Sequence, residues 1–271
     1  MNKNDTQQIA ATLLNKATEL GTDLVGFANV EDLKQSPSFT FAPKMPGAGE
    51  GFGTRENKLG LKPGEVLWPE NAKTVMVIAV HHPKDQPEMD WWFGRVDPPG
   101  NRVLAKIVRE LCTWIGEQFD FNIVHLAYHV EKGGTYLKDS SVLAGLGCIG
   151  KNNILVTPKF GPRVRLRALT LDIKLPATGP LAFDPCTECD DLCRKACPQN
   201  AYHSQQYLPE TYGQAILPGR DGFFAKPICN QQMDINDKKA KEHVFEGFDK
   251  PVKIIKYCRA CELSCPVGKS L

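Results

Sequence analysis

Eight of the ten cysteines in this chain fall after residue 185. Cys186, Cys189, Cys193 and Cys197 are spaced C-x2-C-x3-C-x3-C and end on Pro198. Cys258, Cys261 and Cys265 are spaced C-x2-C-x3-C and end on Pro266, and Cys229 stands alone between the two runs. A [4Fe–4S] cubane takes four thiolates, and in two-cluster ferredoxins the cysteine before proline crosses to the other cluster. Eight such cysteines supply ligands for two [4Fe–4S] clusters. Zinc is the competing metal, since four-cysteine zinc sites also use C-x2-C pairs, but two Cys-Pro endings are not a zinc pattern. A disulfide framework belongs to short secreted domains and does not suit a chain of this length. The run departs from the bacterial ferredoxin spacing in one gap, where Asp190, Asp191 and Leu192 make three residues instead of two.

The elements that must hold these thiols are legible from periodicity. The chain has 271 residues, enough for one large domain or two modest ones. Its formal charge of +2 gives no global field for nucleic acid, although a local basic patch stays open. No apolar run reaches the roughly 18 residues of a membrane span, and residues 1–5 carry no export signal. These features and the free thiols predict a cytoplasmic protein with no membrane partner. Residues 5–20 read as an amphipathic helix with Asp5 as N-cap and Gly21 as the stop. Residues 24–28 read as a short strand, and 74–80 as a strand buried on both faces, delivering His81 and His82 to its end. Those histidines are either metal or cofactor ligands or satisfied core side chains. Residues 37–64, rich in Gly and Pro and including Gly47, Gly49, Gly51 and Gly53, read as irregular structure. Residues 85–100 read as a second loop, with Trp91, Trp92 and Phe93 as a lid or partner surface. Helices are expected over 101–118 and 137–143 and a strand over 121–130. Arg163, Arg165 and Arg167 alternate with apolar residues on a strand with one basic face, either solvated or lining a cleft for an anion. Residues 174–185 read as a linker, and the long polar spacer before Cys258 as a wrap around the clusters or the other domain.

Gly145, Gly147 and Gly150 do not make a dinucleotide fingerprint, because the order is helix, glycines, strand instead of strand, glycines, helix. They do allow close backbone approach to a large flat ligand, and Lys151, Asn152 and Asn153 add hydrogen-bond donors.

Taken together, Ala144-Gly145-Leu146-Gly147, Gly150-Lys151-Asn152, the strand ending Leu169-Thr170-Leu171-Asp172 and the eight ordered cysteines resemble the epoxyqueuosine reductase family, which shares its architecture with reductive dehalogenases. The likeness covers most of the chain, densely over 124–266. It implies an α+β fold, with a nitroreductase-like cobalamin-binding domain over 1–175 followed by a two-[4Fe–4S] ferredoxin-like domain over 176–271. It implies that Cys186, Cys189, Cys193 and Cys265 hold one cluster, and Cys197, Cys229, Cys258 and Cys261 the other. One cluster would sit beside a cobalamin and reduce its cobalt. The corrin would be held largely by backbone along Gly145, Leu146, Gly147, Gly150, Lys151 and Asn152. The family's proton-donating Asp falls, by distance from the glycine run, at Glu131. Tyr128 and Tyr136 compete, because the dehalogenase branch uses a tyrosine, and the family's segment around its Asp is here replaced by Lys132-Gly133-Gly134-Thr135. The resemblance also implies an external electron donor of the ferredoxin or flavodoxin type. Family members typically carry a C-terminal helical-repeat extension that helps hold tRNA, whereas this sequence stops at Leu271. The expected substrate is therefore either epoxyqueuosine in tRNA or another small molecule. Two further readings stand beside this one. The chain could be an electron-transfer module docking on a corrinoid protein through Trp91, Trp92 and Phe93, or a dicluster ferredoxin without cobalamin.

Overall fold

The computed structural model describes residues 3–45, 59–94, 96–244 and 250–268. The chain opens with α1 (Lys3–Glu19), amphipathic because Ala10, Leu13 and Ala17 fall on one face and are buried. Asp5 sits inside the first turn instead of capping it, where its charge still complements the helix N-terminus. Gly21 ends the helix at φ +98°, a left-handed value that glycine adopts without a Cβ penalty. β1 (Leu24–Asn29) leads into α2 (Val30–Leu33) and α3 (Pro37–Phe41). Pro37 stands at the start of α3, where its missing N–H leaves no bond unmade, so this part of the expected irregular stretch is helical. Gly47, Gly49, Gly51 and Gly53 lie outside the described residues.

Next in order come β2 (Thr74–His81), β3 (Trp91–Phe93), α4 (Pro99–Gln118), β4 (Ile123–His125), α5 (Leu137–Leu143), β5 (Cys148–Ile149), β6 (Leu155–Val156) and β7 (Val164–Leu171). The main sheet is antiparallel throughout, in the order β1-β2-β7-β4. Alternation along β2 sends Met76, Ile78 and Val80 to one face, where they pack with Leu13, Leu104, Leu111 and Ile115 of α1 and α4. Val75, Val77 and Ala79 point the other way, into a second core with Leu33, Leu146 and Leu155. The strand is thus apolar on both sides because helices and loops cover both faces of the sheet. β5 and β6 pair as a hairpin immediately after α5, which accounts for the helix–glycine–strand order.

The remainder holds α6 (Leu192–Lys195), α7 (Pro209–Tyr212), α8 (Lys226–Lys239), β8 (Lys241–His243), β9 (Val252–Lys256) and α9 (Ala260–Ser264). Residues 91–93, expected in a loop, instead form β3 and pair with β9, with Trp92 opposite Ile255. All three aromatic side chains are half-buried, so this run is part of a three-stranded sheet, not an open docking patch. The expected linker is likewise bolted down. Thr178 accepts a hydrogen bond from Phe27 N at 2.8 Å and donates to Ala144 O at 2.6 Å, and Leu175 is buried. The spacer before Cys258 lies on the first half of the chain, where Lys44 Nζ donates to Tyr212 O at 2.6 Å and Phe41 packs against Tyr207 and Tyr212.

The strongest tie between the two halves is electrostatic. Asp90 is buried, and its carboxylate meets His82 Nδ1 at 2.6 Å, Arg165 Nε at 2.5 Å and Arg259 Nη1 at 2.6 Å. Arg259 also donates to His82 O at 2.8 Å and, through Nε, to Glu262 Oε1 at 2.8 Å. Burial pushes the Asp90 carboxyl up, but the hydrogen bond and charge of His82 and the two guanidinium groups outweigh it and hold Asp90 below the usual carboxylate range. Removing one partner of such a buried pair leaves charge uncompensated, at a cost of about 3–5 kcal/mol. Asp90→Asn is therefore expected to lower unfolding stability by about that amount near neutral pH. Because the native carboxyl is more acidic than the unfolded one, its contribution is complete above about pH 4 and is lost as pH falls through the native value. Denaturation of both proteins across pH should show the difference narrowing below about pH 4.

Candidate functional site

Cys186, Cys189, Cys193 and Cys265 line one cavity together with Lys151, Asn152, Val156, Pro185, Pro266 and Val267. Cys186 and Cys189 lie on one turn, with Cys189 N donating to Cys186 O at 3.3 Å. Cys193 rides on α6, and Cys265 directly follows α9, which packs against α6. Three corners of this ring have their own braces. Asp184 accepts from Cys186 N at 3.0 Å and from Arg220 Nη1 at 2.6 Å, with a second Arg220 contact completing a bidentate pair. Arg163 is buried and donates to Cys265 O at 3.5 Å and Val267 O at 2.6 Å. Lys151 Nζ meets Asp191 Oδ1 at 2.7 Å and donates to Cys189 O at 3.3 Å.

Cys197, Cys229, Cys258 and Cys261 lie near one another, with Cys261 on α9. Cys229 is within electrostatic reach of Cys197 and Cys258, and Cys261 of Cys229 and Cys258. Cys197 Sγ accepts a hydrogen bond from Ala201 N at 3.3 Å, and Cys229 N donates to Ala225 O at 3.1 Å as α8 begins. Burial pushes the thiols up, to about 11 for Cys193 and about 12 for Cys261, and upward also for Cys229 and Cys265; neighbouring sulfurs add to it. Such thiols stay protonated until a metal displaces the protons. Among the described residues no three His, Cys, Asp or Glu side chains converge tightly enough for a single metal ion. The four cysteines of the first set line a common cavity. Cys148, within the glycine run, is a further thiol near Cys186 that the spacing argument did not single out, and burial pushes it up to about 11.

The glycine run leads into Lys151, Asn152 and Val156, which line this cavity. A Cβ on Gly147 would lie 2.1 Å from Val156 O, and one on Gly145, at φ +74°, would lie 2.7 Å from Thr178 O. A Cβ on Gly150 would meet Asn152 Oδ1 at 2.7 Å. The absent side chains are thus filled by the chain's own atoms, where the sequence suggested room for a flat ligand. Asn152 is buried, and Leu146 belongs to the second core.

The three expected proton donors lie in different settings. Glu131 is only 8% exposed, and neither carboxylate oxygen has a hydrogen-bond partner among the described residues. Nearby Tyr136 is buried and donates its hydroxyl to Gly64 O at 2.7 Å. Tyr128 is 48% exposed, with the Arg167 guanidinium 4.7 Å above its ring. The two histidines diverge. His81 stacks on Phe160 at 4.4 Å, whereas His82 is the buried partner of Asp90, so they make no metal pair. The basic face of β7 is likewise divided, since Arg163 and Arg165 are spent on internal partners.

No family model matches the chain. Epoxyqueuosine reductase of Lactococcus garvieae is 24% identical over 273 residues, covering 94% of this chain and 68% of that protein. The solved epoxyqueuosine reductase of Streptococcus thermophilus superposes on 98% of this chain and 67% of its own, with a TM-score of 0.62 and 20% identity. A catabolic reductive dehalogenase gives 0.62 over 99% of this chain and 33% of its own, at 16% identity. The chain is thus similar in sequence to epoxyqueuosine reductases and shares its fold with them and with a reductive dehalogenase. It spans about two thirds of the length of the epoxyqueuosine reductases it matches. No helix among its described residues is long and apolar enough to cross a membrane.

The packing of the glycine run in this reductase-like chain can be tested without any ligand. Gly147→Ala must push β6 away from the run and is expected to cost at least about 1–3 kcal/mol, read as a lower urea midpoint at unchanged slope. Gly116→Ala, in α4 with nothing within 4 Å of its Cβ position, should shift the midpoint the other way by about 0.5–1 kcal/mol.

Proposed function

We propose that the chain is a cobalamin- and iron–sulfur-dependent reductase. In this reading Cys186, Cys189, Cys193 and Cys265 hold one [4Fe–4S] cluster, and Cys197, Cys229, Cys258 and Cys261 hold a second. The observation that carries it is the cavity ringed by four cysteines, together with the lack of a tight single-ion site among the described residues. A tetrahedral zinc needs its sulfurs drawn to about 2.3 Å of one point, whereas a cluster needs them spread around it. The clusters would supply single electrons, and cobalamin would deliver them to a substrate bond that is cleaved reductively.

The protein's own part is to place, dry and protonate. Arg163, the Asp184–Arg220 pair and Lys151 hold the backbone that bears the first set of thiols. The buried hydroxyls of Ser36, Thr135 and Ser140 and the Glu131 carboxylate have no hydrogen-bond partner among the described residues, and each would be satisfied by a bound group rich in amides, as a corrin is. Gly145, Leu146, Gly147 and Gly150 would then meet the corrin through their peptide groups, with Lys151 and Asn152 serving the wall they share with the first cluster. Glu131 is the assigned proton donor. Its carboxyl is enclosed and has no competing hydrogen bond among the described residues, while the Tyr136 proton is committed to Gly64 O and Tyr128 faces solvent. The substrate reading is epoxyqueuosine in tRNA, since one epoxyqueuosine reductase of this fold (TM-score 0.57) is solved with an epoxyqueuosine-modified tRNA stem loop. An external one-electron donor of the ferredoxin or flavodoxin type and a cytoplasmic setting complete the proposal.

Anaerobic purification with cobalamin should give about eight irons and one cobalt per chain, with the EPR signals of two [4Fe–4S] clusters. Glu131→Gln should keep both metals and lower turnover of a modified stem loop by about 10²–10⁴-fold, the usual contribution of a general acid. Eight irons without cobalamin binding would sink the reductase reading, and undiminished turnover by Glu131→Gln would remove the assigned donor.

A further inference from the structure

The two cysteine sets differ in their access to solvent. Cys186, Cys193 and Cys265 of the first set are buried, whereas all four cysteines of the second set are half-buried. Cys229 is carried by α8, and Cys258 follows β9 by two residues. These two elements are tied together, since Asn236 Nδ2 donates to Lys256 O at 2.8 Å and Lys253 Nζ meets Asp237 Oδ1 at 3.0 Å. They also carry exposed lysines: Lys238 and Lys239 close α8, Lys241 opens β8, and Lys256 closes β9. Lys241 stands opposite Ile254, so it shares a face of the small sheet with Lys256, two residues along β9. On that face the Lys256 ammonium lies 3.9 Å from the centre of the Trp91 ring. The nearby acids do not neutralise these charges. Asp237 is taken by Lys253, and Glu242 stands opposite Lys253 on the other face. No ion pair holds Lys238, Lys239, Lys241 or Lys256 among the described residues. Just past β8, Val244 is 79% exposed.

Some of these lysines have local duties. Lys238 and Lys239 complement the negative end of α8, and Lys241 guards the edge strand β8. Neither duty calls for Lys256 on the middle strand or for an exposed valine beside it. In a chain of formal charge +2, this concentration makes a local positive field next to the more accessible cysteine set. We propose that this lysine face is the docking surface for an acidic one-electron carrier protein that delivers electrons to the second set. The inference rests on the reading that both sets hold [4Fe–4S] clusters. In the transfer the carrier loses one electron and the oxidised cluster gains it, with no bond made or broken. Complementary charge steers such a partner and speeds encounter, while an apolar residue among the charges gives it a seat. The same lysines would attract a nucleic-acid backbone, but the closeness of Lys256 to Cys258 favours a carrier, because electron transfer falls off steeply with distance.

The test uses the anaerobically reconstituted full chain and two probes, an acidic [2Fe–2S] ferredoxin and an acidic flavodoxin, each reduced beforehand. Stopped-flow bleaching of the cluster absorbance gives the electron-transfer rate, and calorimetry gives the affinity. Raising salt from about 20 to about 200 mM should slow reduction by at least one carrier about tenfold. Lys239→Gln, Lys241→Gln and Lys256→Gln combined should weaken binding of that carrier and slow its reaction about tenfold at low salt. Iron content and reduction by photoexcited deazaflavin, a small donor with no docking surface, should not change. Removing equal charge from the exposed face of α4, by Arg102→Gln, Lys106→Gln and Arg109→Gln together, should leave both readouts as in the parent. Equal losses in the two triple variants, no loss in the lysine variant, or no reduction of the parent by either carrier would overturn the inference. So would a lysine variant that loses affinity for an unmodified tRNA stem loop yet is reduced by the carriers at the parent's rate. If the triple variant loses iron, Lys241→Gln alone decides: slower reduction by the carrier supports the inference and an unchanged rate overturns it. A parent protein without clusters that deazaflavin can reduce would instead overturn the reading on which the inference depends.

Discussion

A buried carboxylate that must neutralise cations from distant parts of the chain is the constraint on which the rest of this structure depends. Asp90 receives Arg165 from the central strand β7, His82 from the end of β2, and Arg259 from the loop between Cys258 and Cys261. Neither the Asp90 carboxylate nor the two guanidinium groups are stable in a dry interior alone, and together they are stable only in one arrangement. The network therefore acts less as a source of net stability than as a specification. It permits the segment bearing Cys258 and Cys261 one position against the main sheet. The β3–β9 pairing, which begins one residue after Asp90, extends the same join through backbone hydrogen bonds.

Close packing of peptide groups does the corresponding work at the first cysteine set. The main sheet carries α5 on one face, and the glycine run leaves α5 so tightly that β6, Thr178 and Asn152 fill the places of its side chains. Lys151 and Asn152 are thereby fixed at the cavity rim, and Arg163, leaving the start of β7, reaches the Cys265 and Val267 carbonyls. The sheet thus holds both halves of the cysteine framework from its two ends of contact, by charge at Asp90 and by carbonyl capture at Arg163. Thiols whose protons are held by burial must give them up when a metal group binds, so loading of these sites is opposed by acid.

Much of this architecture was legible in local pattern. The helices α1, α4 and α5 and the strands β1, β2 and β7 all appear where apolar periodicity predicts them, because a residue's neighbours at two, three and four positions decide which face it shows. The misreadings occur where the deciding contact is remote. Trp91, Trp92 and Phe93 look like an exposed loop until β9 arrives to pair with them, and residues 174–185 look like a linker until Thr178 is seen binding Phe27 and Ala144. Arg163, Arg165 and Arg167 look like one basic face, yet two of them are consumed inside the protein.

The candidate site divides in the same way. The number, order and proline endings of the cysteines carry the expectation of two clusters, since thiolate count and C-x2-C reach are local properties. Spacing alone left their grouping open, and family resemblance supplied it; the structure brings Cys265 to Cys186, Cys189 and Cys193 by packing α9 on α6. By itself, then, the sequence determined most of the secondary elements and the supply of thiols. Only the tertiary structure decided that Asp90 is the hub and that Glu131 is enclosed with no hydrogen-bond partner among the described residues. The reason is that a charge or a hydroxyl shows its type in the sequence, but its partner is chosen by how the chain folds back, and no local period encodes that.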